Sequence, residues 1–357
     1  MTDQAYAAEL PGLPRAALTA WFARELPQLE AGDTWRASVI AGGLSNITYR
    51  VLVPTGTVVL RRPPLAGVVP SAHDMVREYT VQRALADAGG AAVPVPVPLA
   101  LCTDTGVLGA PFYVMAEVAG TVLRGAGDTA ALTVAQRAAL CDGLIDALVA
   151  LHAVDPGAAG LSAFGRPEGY TARQVKRWAE QWQRTATRDL PDMARLFAGL
   201  AERVPPRSDN AIVHGDFRLD NTIVDLSGDP PRIAAVLDWE LSTLGDPLAD
   251  LGMFLTYWYD SHLAEDAAFG HTAGLTAWPG FPDTDAVAQA YASRAGRDLS
   301  ELAFYRALGA MKLAVILEGV HARHLGGHTI SAGYDGVDKA VPVLTARGLE
   351  LLRERPA

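Results

Sequence analysis

The sequence predicts an α+β chain of two lobes: a small lobe on a five-strand antiparallel β-sheet with one helix, then a larger, mainly helical lobe. Three observations predict this. The 357 residues suffice for about two domains of ordinary size. Between residues 36 and 117 the apolar residues fall into short runs divided by Gly- and Pro-containing turns, which is the pattern of strands. Beyond Gly120 apolar residues recur mostly at helical spacing.

Each element follows in order. Residues 14–30 place Leu18, Trp21, Phe22 and Leu26 on one face of a helix. Strands are expected at 38–41, 47–53 and 57–61, joined at Gly42-Gly43 and at Pro54-Thr55-Gly56. A helix over 72–88 carries Met75, Tyr79, Val81 and Leu85. Pro94, Pro96 and Pro98 mark an extended connector, and two further strands at 100–103 and 112–117 flank a turn at Asp104-Thr105-Gly106. Helices follow at 133–153, 171–188, 192–203, 247–260, 284–295, 299–324 and 335–354, interrupted by short apolar runs over 211–240. The domains are therefore a helical extension over 1–34, a first lobe over 35–120 and a second over 121–357.

Composition removes several functions. Half of the residues are apolar and a fifth are charged, which excludes a disordered chain. A net charge of −10 argues against a sequence-independent nucleic-acid binder, which needs clustered cations. The first ten residues lack the cationic and apolar regions of a secretory leader. The most apolar stretch, 138–154, is too short to span a bilayer and is broken by Asp142, Asp146 and His152. Cys102 and Cys141 form neither a disulfide framework nor a zinc cluster. A cytoplasmic protein without membrane or nucleic-acid partners is expected. Only three of its thirty basic residues are lysine, Lys176, Lys312 and Lys339, and none precedes residue 176.

The densest chemistry lies at 214–250. His214-Gly215-Asp216 leads after four residues to Asn221; Asp238-Trp239-Glu240 ends a second apolar run; Gly245-Asp246-Pro247 and Asp250 follow. Phosphoryl transfer from ATP needs such a set. One carboxylate orients and deprotonates the attacking hydroxyl, while an Asn and a second carboxylate hold magnesium through hard oxygens. The Asp-x4-Asn spacing with a later Asp matches the protein-kinase order. A solvated, capped turn explains one such cluster less well when three occur in this order.

Upstream segments fit the same chemistry. Gly42, Gly43, Ser45 and Asn46 between two strands offer backbone and side-chain donors to phosphate. Val58-Val59-Leu60-Arg61 carries a cation on the third strand, and Glu78 on the next helix can pair with it. Arg62 points to the opposite face of the strand. Tyr113-Val114-Met115 runs into a break at Gly120, as a hinge beside adenine would.

With these motifs the chain resembles the aminoglycoside phosphotransferase / choline kinase family, a branch of the protein-kinase-like fold, over about residues 35–330. The segments Leu60-Arg-Arg-Pro-Pro64, Arg77-Glu-Tyr79 and 114–120 look most like the subgroup of kinase-like domains fused to acyl-CoA dehydrogenases. The resemblance implies an ATP-dependent, magnesium-dependent transfer of the γ-phosphoryl to a hydroxyl of a small molecule. Asp216 would be the catalytic base, with His214, Arg61 and Glu78 completing the catalytic set. Gly43, Ser45, Asn46 and Arg61 would bind the nucleotide, together with Met115 beside the adenine and the backbone of Ala116 and Val118. Asn221 and Asp238 would bind Mg2+, with Glu240 near a second metal position. Asp246 would fix the catalytic loop, and Asp250 would cap the following helix. Where the family usually has Lys, the third strand here has Arg61.

Trp178, Trp182, Tyr257, Trp258 and Tyr259 are candidates for the acceptor pocket, against the plainer expectation that they are core. Arg173, Lys176 and Arg177 could meet an anionic acceptor or form a solvated helix face. His321, His324 and His328 are spaced too irregularly for a zinc site. Acceptors as different as an aminoglycoside and a hydroxylated acid fit the sequence. The alternative class is a nucleotide-binding protein of the same fold with weak or no turnover. A metallophosphoesterase is disfavoured because its Asp-x-His and Gly-Asn-His motifs are missing.

Overall fold

The structure, a computed structural model, describes residues 6–7, 10–40, 46–65, 74–88, 93–206, 209–258, 274–326 and 336–354. It divides into two units: Met1–Ala119 with Ala234–Glu240, and Gly120–Ile233 with Leu241–Ala357. Asp238 and Glu240 thus belong to the first unit, although they follow a long stretch of the second in sequence.

In the first unit β1 (Arg36–Val39), β2 (Ile47–Val53), β3 (Gly56–Arg62), β4 (Pro98–Cys102) and β5 (Phe112–Ala116) form one antiparallel sheet, ordered β1-β2-β3-β5-β4. Alternation sorts the side chains onto two faces. Val58, Leu60, Phe112 and Val114 pack with Trp21 and Phe22 of α1 (Arg15–Glu25). Val59, Tyr113 and Met115 face the other way, with Met75 of α2 (Met75–Asp87). On that parity Arg61 falls on the α2 face and Arg62 on the α1 face. Arg62 donates to the carbonyls of Gly12 and Leu108, at 2.7 and 3.0 Å.

The expected helix over 14–30 ends early. Pro27 cannot continue it, and residues Pro27–Leu29 form a 3-10 turn instead. Asp74 caps α2 by accepting from the Arg77 N–H, so the helix starts at Met75 rather than 72. The turn expected at Asp104 is the start of a four-residue helix, α3 (Thr105–Leu108).

In the second unit α4 (Ala126–Ala130), α5 (Val134–Ala153), α6 (Tyr170–Thr185) and α7 (Pro191–Glu202) precede the short strands β6 (Ala211–Val213), β7 (Thr222–Asp225), β8 (Arg232–Val236) and β9 (Thr243–Gly245). The chain passes into the first unit within β8. Then come α8 (Pro247–Tyr257), α9 (Thr284–Ala295), α10 (Leu302–Leu325) and α11 (Val337–Leu351). Helix α10 is the axis of this unit: Tyr305, Leu308, Met311, Ala314 and Val315 are buried with Met253, Met193, Leu196 and Leu344 of its neighbours. It crosses α8 where Gly252 lies against the Tyr305 carbonyl, so tightly that a Cβ has no room there. Among the described residues, no helix is long and apolar enough to cross a membrane.

Candidate active site

The first unit brings Arg61, Glu78 and Asp238 together. The penultimate residue of β3, Arg61, lies on the α2 face and α2 carries Glu78 in its first turn, so the two side chains meet. Arg61 Nε donates to Glu78 Oε2 at 2.8 Å, and one terminal nitrogen donates to Asp238 Oδ1 at 2.7 Å. Glu78 is fully buried and also accepts from the Tyr113 hydroxyl at 3.1 Å and from Asn46 Nδ2 at 3.0 Å. Burial pushes the Glu78 carboxyl up, opposed by the Arg61 charge. Burial alone would lower the Arg61 pKa, but Glu78, Tyr113, Asp238 and Glu240 together raise it, so this cation is permanent. Asp238 has a backbone φ of 66°, a left-handed conformation that Asp tolerates better than branched residues.

Asn46 Nδ2 also reaches Glu240 Oε2 at 3.4 Å, while its Oδ1 is buried without a partner. Buried polar atoms are normally satisfied, so this oxygen fits a group that the protein itself does not supply. Asp238, Glu240 and Asn46 Oδ1 are hard oxygen donors of the kind magnesium takes. Among the described residues no group of three His, Cys, Asp or Glu side chains could hold a metal alone. Met115 is buried beside Val59 and Tyr113. The Ala116 N–H donates to the Val97 carbonyl at 2.9 Å, so an adenine contact at this residue would fall to its carbonyl. Val118 is half-buried just beyond β5. Gly42, Gly43 and Ser45 lie outside the described residues.

In the second unit β6 delivers the loop that starts at His214. His214 Nδ1 accepts from the Asp216 N–H at 3.2 Å. Asn221 Nδ2 donates to the Asp216 carbonyl at 2.9 Å and to Asp216 Oδ2 at 3.0 Å. This orients the carboxylate and leaves the amide oxygen of Asn221 as the hard donor that a magnesium ligand must offer. Gly215 has φ +86°, and a Cβ there would sit 2.8 Å from the Leu241 carbonyl, so the turn needs glycine. The Asp216 side chain remains 21% exposed, which a base must be to meet substrate.

The two later acidic residues exchange their expected roles. Asp246, not Asp250, caps α8, accepting from the Leu248 N–H at 2.9 Å. Asp250, one turn inside that helix, accepts from the His214 and Gly215 N–H groups at 2.5 and 2.7 Å. His152 Nε2 lies 3.3 Å from Asp250 Oδ2, and His152 Nδ1 lies 2.7 Å from the Tyr291 hydroxyl. Burial would raise the Asp250 carboxyl, but His152, His214 and the Gly215 N–H bring it below the ordinary range. A cap must stand at the helix entrance; a residue one turn in faces the packed interior, where the catalytic loop offers unpaired amides. Of the residues missed in the sequence, His152, Tyr291 and Lys312, two share one visible signal. His152 and Lys312 are lone polar residues in apolar helical runs, which points to a buried partner.

The aromatic candidates separate. Trp182 packs on the helical core, and Trp258 is buried with its indole N–H on the Pro282 carbonyl at 2.7 Å. Trp178 lines a recess with Tyr170, Gln174, Gly215 and Lys312. The Arg218 guanidinium stacks 4.8 Å from the Tyr257 ring centre. Burial and the nearby Asp216 push the Tyr257 hydroxyl well up. Arg173 caps the carbonyls of Arg166 and Glu168, and Lys176 lies 3.9 Å from the exposed Glu180, so these cations serve local contacts. His321 and His324 belong to no metal-binding group among the described residues. Tyr259 and His328 lie outside the described residues.

A sequence profile of the phosphotransferase enzyme family (APH) matches residues 36–305. Acyl-CoA dehydrogenase family member 11 of Gallus gallus is 37% identical over 314 residues, 87% of this chain and 40% of that protein. Its Homo sapiens counterpart is 33% identical over 315 residues, 87% of this chain and 39% of that protein. The chain thus spans about two fifths of the length of these curated relatives. A crystal structure from Ralstonia eutropha, named as an aminoglycoside phosphotransferase, aligns with TM-score 0.80 and 34% identity, covering 95% of this chain and 98% of that one. An aminoglycoside phosphotransferase mutant solved with AMP-PNP and hygromycin B aligns with TM-score 0.59 at 15% identity, covering 93% and 98%, a likeness of fold alone.

Proposed function

The chain belongs to the phosphotransferase enzyme family, with the two-lobe kinase-like α+β fold, and on that premise we propose that it transfers the γ-phosphoryl of ATP to a hydroxyl of a small molecule. The observation that carries this reading is the Asp216 carboxylate, partly exposed yet oriented by Asn221 Nδ2 at 3.0 Å. Asp216 accepts the hydroxyl proton as the oxygen attacks. Asn221 keeps the carboxylate aimed, and His214 braces the loop through the Asp216 N–H. Arg61, fixed by Glu78, presents its charge to phosphate. Asn221 and Asp238 are the residues to hold Mg2+, which when bound neutralises phosphate charge. The transfer is direct and in line, without a phospho-enzyme.

The Arg61–Asp238 ion pair favours a second reading, a nucleotide-binding protein without turnover, because it engages the carboxylate that a metal needs. One assay separates the two. ADP release with MgATP is measured across a panel of amino alcohols, sugars, aminoglycosides and hydroxylated acids. Stimulation by any acceptor supports the transferase. MgATP binding without stimulated turnover by any member supports the second reading. Asp216→Asn should cut stimulated turnover by about 10²–10⁴-fold while sparing MgATP affinity; undiminished turnover removes Asp216 as the base.

A further inference from the structure

Lys312 lies at the middle of α10, in the run Ala307-Leu-Gly-Ala-Met-Lys-Leu-Ala-Val-Ile316. No motif of the active site contains it. Its Nζ donates to the Gly215 carbonyl at 2.5 Å and stands 5.7 Å from the ring centre of Trp178. Gly215 is thereby held from both sides: Asp250 of α8 takes its N–H, and Lys312 of α10 takes its carbonyl. The peptide that begins at that carbonyl continues into Asp216. Rotation of this one peptide would swing the Asp216 carboxylate, and the Lys312 contact opposes that rotation.

An ammonium is a costly way to hold a neutral carbonyl, because its charge must leave water. Three donors on a flexible stem also exceed what one carbonyl needs. A glutamine or serine would make the hydrogen bond without the charge. Asp216 and Asp250 both act on Lys312 through space, which favours its cationic form, while Arg177 of α6 disfavours it. A charged donor also holds a carbonyl more firmly than a neutral one, which suits a loop that must resist rotation.

We propose that Lys312 is a positioning residue, which fixes the Gly215–Asp216 peptide through a charge-assisted bond to the Gly215 carbonyl. The proposal rests on the phosphotransferase reading for its effect on turnover, and on geometry alone for its effect on the loop. The groups that face the ammonium are Asp216 on the catalytic loop, Asp250 on α8, and Arg177, Trp178 and Tyr170 on α6. Burial lowers the Lys312 pKa below that of an ordinary lysine, opposed by the two aspartates. The loss of its proton consequently falls within reach of an alkaline titration.

The test compares the parent chain with Lys312→Met and Lys312→Arg. MgATP affinity is measured by calorimetry, and ADP release is followed against pH with water as the phosphoryl acceptor. Lys312→Met should bind MgATP within about twofold of the parent, release ADP at least tenfold more slowly, and lose the alkaline fall in rate. Lys312→Arg should recover part of the rate and shift the alkaline fall upward, because a guanidinium keeps its proton. A purely structural role would not remove the alkaline limb. A Lys312→Met rate within twofold of the parent, with the same limb, overturns the proposal. Amide hydrogen exchange of residues 213–217 supplies a readout free of nucleotide. It should speed up in Lys312→Met and return toward the parent in Lys312→Arg; unchanged exchange in both overturns the positioning role. If the parent itself neither binds nor hydrolyses MgATP, the phosphotransferase reading fails instead, and the exchange experiment still decides the positioning role.

Discussion

Arg61 is the residue whose chemistry departs most from the family's usual lysine. A lysine carries its three donors on one nitrogen; the guanidinium fork here reaches Glu78 and Asp238 from two separate nitrogens. Arg61→Ala strips two charge-assisted hydrogen bonds and leaves Glu78 buried without its cation. The loss of one charge-assisted bond from Arg61 to phosphate, at about 1.5–3 kcal/mol, should lower MgATP affinity about 10- to 100-fold. Arg61→Lys should recover only part, because a single ammonium cannot reproduce both contacts at their present lengths. Titration calorimetry of the two variants checks this. Equal affinity of parent and Arg61→Ala would remove Arg61 from the nucleotide site.

At the level of elements, α8 and α10 hold the catalytic loop from two directions, so their packing sets its geometry. Gly252 lets α8 touch the backbone of α10 at Tyr305. Gly252→Ala should separate the helices and cost about 1–3 kcal/mol, seen as a drop of several degrees in Tm. Asp250 adds a pH dependence. Its folded-state pKa is depressed, so its contribution is complete above the ordinary aspartate range and is lost as pH falls from about 4 through the lower folded value. Asp250→Asn presents an amide to two backbone N–H donors and should cost about 1–3 kcal/mol at neutral pH. The difference in unfolding free energy between parent and Asp250→Asn should shrink as the pH drops below 4. Denaturant titrations at pH 3 and pH 7 measure it, and a difference that stays constant would place the carboxylate charge outside the loop's stability.

For the whole molecule, ligand binding and stability are linked by mass action. A nucleotide that binds only the folded chain raises its stability by about 2.7 kcal/mol at a hundredfold excess over Kd. MgATP should therefore raise Tm by several degrees, and chelation of magnesium should reduce the shift. Asp216→Asn should retain the shift, whereas Asp238→Ala should lose most of it. A full shift in Asp238→Ala would exclude Asp238 as a metal ligand. The net charge of −10 places no requirement on this behaviour, because the cation assigned to the nucleotide is one fixed residue, Arg61.

The five strands, the helix carrying Glu78 and the pairing of Glu78 with Arg61 were legible in the sequence. Strand alternation, glycine turns and the spacing of acidic residues are local properties, which a linear reading can carry. Alternation even placed Arg61 and Arg62 on opposite faces. What the sequence could not assign were roles fixed by contacts across long separations. Asp246 and Asp250 are four residues apart, equally acidic and equally near a helix start. Only packing decides that the first caps the helix while the second takes amides of a loop some 36 residues earlier. Lys312 stands about 97 residues from the carbonyl it holds. Its scarcity in this arginine-rich chain was visible from the composition; its place beside Gly215 was decided by how α10 packs, because burying a charge is tolerated only where the fold brings a partner to it.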